Sequence, residues 1–166
     1  VFFESEKELI RAKEHQLERV LTLFPWIATI DKFQHWIYKK PNHDLKDRTD
    51  KWMEILNEYT SPVLDTSGLE EYRRSFWQKQ LHLFEVPFYY IEYGIAQLGA
   101  IGLWKQFKEN KNIALSNYIN TLSLGGTKTL PELFSTANLK FDFSPEMVGE
   151  LMAFVHEELI QLSDTR

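Results

Sequence analysis

Apolar residues recur at helical spacing along almost all of this 166-residue chain, and this pattern constrains the fold more than any other feature. Residues 6–24 have one apolar face and an opposite face rich in Glu and Arg, which predicts an amphipathic helix. The shared face carries Leu9, Ala12, Gln16, Val20 and Leu23. Pro25 then either kinks this helix or opens the next one at its first position.

Proline, glycine and capping residues divide the rest of the chain into further helices. Ser67–Glu70 and Thr129–Glu132 each match a capping box, so a helix is expected to begin at each site. Ser144 and Pro145 open the last helix. The other helices are predicted over 26–38, 43–59, 67 towards 81, 88–109 and 114–122.

The pattern therefore predicts an all-α fold in a single helical domain, residues 1–166. Hydrophobic residues make up 43% of the chain and aromatic residues 14%, which is typical of a packed globular protein. Only Lys140–Phe143 resembles a strand, and four residues cannot form a sheet.

Charge and composition exclude several classes of function. The net charge of -5 and the lack of a basic stripe argue against a nucleic-acid partner. The most apolar window, 86–104, contains Glu92 and Gln97 and is too short to span a bilayer comfortably, so no membrane partner is expected. The lack of cysteine excludes thiolate metal sites and fits a cytoplasmic protein. Because the chain begins at Val1, we expect it to be a piece of a longer polypeptide.

The five histidines do not form a metal-binding pattern. A zinc peptidase places two histidines on one helical turn as His-Glu-x-x-His, since residues four apart face the same way. His156 is followed by Glu157, but Ile160 stands where the second ligand would be. We therefore predict no metal site within this chain, and no stoichiometric zinc binding or peptide hydrolysis by it alone.

One segment combines groups that can donate hydrogen bonds without full charge. His82 lies shortly before a helix whose first turns carry Tyr89, Tyr90 and Tyr93. Tyr89 and Tyr93 are four residues apart and share a helical face. Imidazole and phenol donors suit an oxyanion or a peptide carbonyl. Alternatively, these aromatic side chains pack in the core, as composition alone favours.

The sequence from His82 through Pro87-Phe-Tyr-Tyr-Ile-Glu-Tyr93-Gly94 resembles oligoendopeptidase F and its thimet-oligopeptidase-like relatives. Asp31-Lys-Phe-Gln34 resembles the family's Asp-x-Phe-Gln stretch. Leu122-Ser-Leu-Gly-Gly126 and Pro131-Glu-Leu133 resemble its small-residue loop and next helix. The chain therefore resembles the C-terminal portion of a zinc metallopeptidase.

The resemblance implies a helical, two-lobed peptidase with a channel, of which this chain is a C-terminal piece of the catalytic lobe. Zinc in the full-length parent is held by upstream residues, and short peptides are the substrates. The partner of this chain is then the upstream part of the same polypeptide. By resemblance, His82, Tyr90 and Tyr93 are catalytic, and Tyr89 joins them in substrate binding. Between the histidine and the tyrosines, the chain departs from thimet-type members in sequence and is one residue shorter.

Two alternatives stay open at this point. The chain could be a non-catalytic helical binding or scaffold domain, or a complete protein that lost its catalytic half. All three interpretations predict helices. The upstream parent sequence distinguishes them, because only the peptidase requires His-Glu-x-x-His there. We also expect the segment from His82 to Tyr93 to line an open groove rather than the centre of the core.

Overall fold

A computed structural model gives the fold and describes residues 3–164. Within that range every regular element is helical, which confirms the predicted all-α class. The α-helices are, in chain order, α1 Glu6–Lys39, α2 Leu45–Tyr59, α3 Glu70–Ser75, α4 His82–Glu85, α5 Ile91–Glu109, α6 Lys111–Ser123, α7 Leu130–Thr136 and α8 Pro145–Ser163. A short 3-10 helix, Phe76–Lys79, lies between α3 and α4.

These residues pack as two compact units. Leu21–Gly94 forms one of them, the central unit. Residues 3–20 and 95–164 form the other, the terminal unit. The helices α1 and α5 contribute residues to both units. The prediction of one domain over 1–166 stays a prediction.

The central unit is built around large aromatic and branched side chains. Its core consists of Ile30, Phe33, Trp52, Ile55 and Trp77, each exposed by 4% or less. The ring centroids of Phe33 and Trp52 lie 5.1 Å apart in an edge-to-face arrangement that aromatic pairs favour. The indole N–H of Trp52 donates to the carbonyl of Arg73 at 2.8 Å, so this fully buried side chain is also satisfied as a donor.

The terminal unit brings helices together through small residues. A Cβ added at Gly99 would lie 3.0 Å from the Phe134 ring, and one added at Gly102 would lie 2.9 Å from Leu139. These glycines cost helix stability but allow close packing. Close approach of a neighbouring side chain therefore accounts for glycine at these two positions.

The helix α1 runs without interruption through Pro25, whose effect the sequence left open. Proline in a helix interior costs roughly 3 kcal/mol, since it removes one hydrogen bond and crowds the preceding turn. Burial of Ile27, Ile30 and Phe33 just beyond it offsets that cost. The hydroxyl of Thr29 donates to the carbonyl of Pro25 at 2.8 Å within this stretch.

The capping box predicted at Ser67 is wrong. The helix α3 begins at Glu70 and ends at Ser75, where the 3-10 helix takes over, rather than running from Ser67 towards Leu81. Asp65 accepts hydrogen bonds from both the backbone N–H and the hydroxyl of Ser67. This local turn competes with helix capping for the same groups and delays the helix.

Helix α5 begins three residues later than predicted, at Ile91, because Phe88 has a positive φ of 59°. Helix α6 begins earlier than predicted, at Lys111, since the side chain of Asn110 accepts from the N–H of Ile113. The predicted starts at Thr129 and Ser144 are confirmed by α7 and α8.

The segment 140–143 has no regular secondary structure. Between residues 3 and 164, no helix combines the length and apolar character needed to cross a membrane. The predicted cytoplasmic location stays a prediction.

Candidate functional site

The structure brings together all four residues that the sequence predicted for the site, in what we call the His82 cluster: His82, Tyr89, Tyr90 and Tyr93. The His82 ring centroid lies 4.9 Å from that of Tyr90 and 5.6 Å from that of Tyr93, both edge-to-face. The ring of Tyr89 stacks beside His82 at 6.3 Å. The imidazole therefore lies among three phenol rings.

A hydrogen bond connects the two residues predicted as principal donors. Nε2 of His82 lies 3.1 Å from the hydroxyl oxygen of Tyr93. His82 is on the first turn of α4, and Tyr93 is on the first turn of α5. The chain reversal at 86–90 between these two helices brings the side chains into contact.

The phenol of Tyr90 is the most buried of the three tyrosines. Burial raises its pKa above the ordinary value of 10.0, while a hydrogen bond with Trp26 acts in the opposite direction. A raised pKa favours the protonated phenol further, so its hydroxyl stays a potential donor.

The turn before α5 is held by a buried amide that the sequence did not single out as a site residue. The side chain of Gln34 is 1% exposed, and its Oε1 accepts from the N–H of Phe88 at 2.9 Å. The Phe88 ring contacts the rings of His35 and Tyr38, each at 4.9 Å. Positive φ is unfavourable for a bulky residue, so these contacts must compensate for the strain of the turn.

Gln80 is the second residue that the sequence analysis missed. Its side-chain Nε2 lies 2.7 Å from Nδ1 of His82, on the opposite side of the imidazole from Tyr93. The only signal in the sequence was its position two residues before the histidine. Both ring nitrogens of His82 therefore have partners.

The His82 cluster lies at the surface of the central unit. Tyr89 is 50% exposed and Tyr93 is 43% exposed, while His82 and Tyr90 are half-buried. Phenol hydroxyls at an accessible surface can contact a ligand. Side chains buried at the centre of a core cannot. The groove itself stays a prediction.

The described residues do not form a metal centre. Between residues 3 and 164, no group of three or more His, Asp or Glu side chains is arranged to hold an ion. His156, which begins the incomplete motif, lies in α8 of the terminal unit.

A cavity of about 570 Å³ lies within the terminal unit, but it is a weaker candidate. Its lining is mostly apolar and includes Gly99, Leu103, Ala114 and Phe134. Binding sites combine apolar walls with a few convergent polar groups. Since the polar aromatic groups are concentrated in the His82 cluster, we take that cluster as the candidate site.

Solved structures resemble this fold closely. A crystal structure provisionally assigned as an oligoendopeptidase F matches with a TM-score of 0.82 and 31% identity, over 90% of this chain and 26% of that one. PZ peptidase A, solved with an inhibitor, matches with a TM-score of 0.76 and 32% identity, over 87% of this chain and 26% of that one. The chain thus spans about a quarter of the length of these proteins.

Sequence comparisons agree. An oligoendopeptidase F homolog of Borreliella burgdorferi strain ATCC 35210 is 35% identical over 83 residues, which are 48% of this chain and 13% of that protein. The sequence model of peptidase family M3 matches residues 2–152. The resemblance to oligoendopeptidase F is confirmed. Because the family match extends over most of the sequence, this chain belongs to peptidase family M3.

Proposed function

We propose that this chain supplies substrate-binding and oxyanion-stabilising residues to an oligoendopeptidase F-like metallopeptidase that hydrolyses short peptides. The observation that carries the proposal is the contact between Nε2 of His82 and the hydroxyl of Tyr93, 3.1 Å apart at an exposed surface. Membership of peptidase family M3 supports a peptidase over a scaffold domain. The upstream part of the same polypeptide is the expected partner.

The proposed chemistry uses neutral donors. When a peptide bond is attacked by water, its carbonyl oxygen gains negative charge, and donors placed in advance stabilise that charge. In the proposal, Tyr93 and His82 face this oxygen, Tyr90 adds a second phenol, and Tyr89 contacts the substrate. Removing one such donor typically lowers kcat by on the order of 100- to 1000-fold.

Zinc enters the proposal only through the family resemblance, which places the ligands upstream. The described residues do not fit the ion, because no suitable cluster of ligands exists between residues 3 and 164. What its own residues do is bind and orient the substrate and donate to the oxyanion.

The test is Tyr93→Phe in a polypeptide that carries this chain together with the upstream part. The variant loses one hydroxyl and keeps the ring, so we expect kcat to fall by on the order of 100-fold or more with little change in KM. His82→Ala should act in the same direction but also opens a small void. Thermal melts of both variants identify any contribution from stability.

Tyr72→Phe is the matched control, because Tyr72 is 73% exposed and lies outside the His82 cluster. It should leave kcat unchanged. Near-normal kcat in Tyr93→Phe would make Tyr93 a packing residue. A parent sequence without upstream His-Glu-x-x-His would instead favour the scaffold interpretation.

A further inference from the structure

The two partners of the His82 imidazole differ in what they can do. A side-chain amide nitrogen donates hydrogen bonds and has no capacity to accept them, whereas a phenol oxygen does both. Gln80 places its Nε2 2.7 Å from Nδ1 of His82. In this orientation of the amide, Nδ1 is the acceptor. In a neutral imidazole that accepts at Nδ1, the hydrogen is carried by Nε2.

This assignment sets the direction of the next hydrogen bond. With its hydrogen on Nε2, His82 donates to the hydroxyl oxygen of Tyr93, 3.1 Å away. That bond occupies a lone pair of Tyr93 and leaves the phenol hydrogen unused. Because Tyr93 is 43% exposed, its O–H can then point towards a ligand.

We propose that Gln80 is a positioning residue that fixes the Nε2–H tautomer of His82 and so keeps the Tyr93 hydroxyl available as an outward donor. The inference rests on the proposed role of Tyr93 in oxyanion stabilisation. It refines that role, in which Tyr93 and His82 both face the substrate oxygen: Tyr93 makes the direct contact, and His82 acts through Tyr93. With the opposite tautomer, Tyr93 would donate inward to Nε2 and offer no hydrogen to a ligand.

The backbone around Gln80 is well placed for this role. Its N–H donates to the carbonyl of Trp77 at 3.1 Å, and Trp77 belongs to the core of the central unit. Its own carbonyl accepts from the N–H of Leu83, also at 3.1 Å. The backbone of Gln80 is thus hydrogen-bonded on one side to the core and on the other side to α4, which carries His82.

The decisive variant is Gln80→Glu, which keeps the shape of the side chain but replaces the donor with a carboxylate that only accepts. Nδ1 must then carry the hydrogen, and the bond between His82 and Tyr93 reverses. The measurement is a long-range ¹⁵N–¹H correlation spectrum of this chain at about pH 8, above the ordinary histidine pKa near 6.5. His82 is assigned by its disappearance in His82→Gln.

We expect His82 to be predominantly the Nε2–H tautomer in the native chain and predominantly Nδ1–H in Gln80→Glu. Gln78→Glu is the matched control, since Gln78 is exposed and the substitution adds the same negative charge two residues before Gln80. It should leave the tautomer as in the native chain. A native Nδ1–H tautomer, or a Gln80→Glu spectrum like the native one, would overturn the inference. If Gln80→Glu fails to fold, Gln80→Ala should instead give a mixture of both tautomers, and an unchanged single tautomer there would equally refute it.

A kinetic experiment separates this inference from the proposed function. In a polypeptide that includes the upstream part, Gln80→Glu should lower kcat in the same direction as Tyr93→Phe, on the order of 100-fold. The double variant should be no worse than Tyr93→Phe alone, because both changes remove the same hydrogen. If the tautomer reverses while kcat is unchanged, the inference about Gln80 and His82 holds and the proposed role of Tyr93 fails.

Discussion

The central and terminal units fill their interiors with side chains of very different size. The central unit packs Phe33, Trp52 and Trp77 against one another, with ring centroids 5.1 and 5.9 Å from Phe33. The terminal unit places Gly99 and Gly102 where neighbouring side chains approach the backbone of α5. The core of the central unit therefore consists largely of rigid aromatic rings, whereas the terminal unit depends on close packing against the backbone of α5.

This difference helps to explain where the polar cluster formed. Gln80 is bonded through its backbone to Trp77, so the site begins three residues from a core ring. Aromatic side chains have only two χ angles, so they lose little conformational entropy when they are fixed in a core. Their close packing leaves few alternative positions for the backbone segments bonded to them. In the terminal unit, polar contacts such as Lys128–Glu132, at 3.9 Å, instead join exposed charged side chains. Such pairs contribute little to positioning, since solvent screens them.

The largest effect is expected from Trp52→Ala, which removes a side chain with no exposed surface. The central unit should lose roughly 3–5 kcal/mol of unfolding free energy, because a large cavity opens among rigid rings. Urea unfolding followed by circular dichroism measures the loss. Trp104→Ala is the control in the terminal unit, where the half-buried Trp104 packs on Phe154 at 4.7 Å. An equal loss in both variants would contradict the contrast between the two interiors.

The second effect concerns the strained turn at Phe88. Gln34→Met keeps the length of the buried side chain but removes the acceptor for the Phe88 N–H, so we expect a loss of about 1–3 kcal/mol. Hydrogen exchange at the Phe88 amide should also become faster. Gln16→Met changes an exposed glutamine of α1 in the terminal unit and should have almost no effect. Unchanged exchange at Phe88 in Gln34→Met would show that the turn is held by ring contacts alone.

The third effect compares glycines of the two units on the same helix. Gly94→Ala should stabilise by up to about 1 kcal/mol, since helix propensity improves and the new Cβ would lie 3.6 Å from Ile27, an ordinary contact. Gly99→Ala gains the same propensity but places its Cβ 3.0 Å from the Phe134 ring, so we expect a net loss of about 1 kcal/mol. Urea midpoints measure both. Gly149→Ala has open space around its Cβ and should stabilise. A stabilised Gly99→Ala would show that the terminal unit repacks easily.

The sequence predicted the helical class and several helix ends because these depend on local chemistry. The side chain of Ser144 accepts from the N–H of Met147, as a capping serine should. The clustering of His82 with its tyrosines was also predictable, although from family resemblance rather than from periodicity.

What the sequence did not show depends on contacts between distant residues. The positive φ of Phe88 is stabilised by a hydrogen bond to Gln34, fifty-four residues earlier. No local sequence pattern could have predicted that bond. The uninterrupted α1 likewise depends on burial beyond Pro25, which outweighs the local cost. Gln80 was missed for another reason: its importance lies in the atom it presents to His82, and this is a matter of geometry.

The smallest effect is a pH dependence at the start of α7 in the terminal unit. The carboxylate of Glu132 accepts from the backbone N–H of Thr129 at 2.9 Å and from its hydroxyl at 2.7 Å. These bonds, the backbone one first, lower the pKa of Glu132 below its ordinary value of 4.5. A lowered folded pKa means that the stabilisation is fully present above about pH 4.5 and is lost as the pH falls through the folded value.

Glu132→Gln should therefore flatten the pH dependence of Tm below about pH 4.5, where the native chain loses this stabilisation. The change is expected to be small, because the carboxylate is exposed to solvent. Thr129→Ser keeps both donors and should retain the native pH profile. Thermal melts between pH 3 and 7 measure the three profiles. A Glu132→Gln profile as steep as the native one would assign the acid sensitivity to other carboxylates.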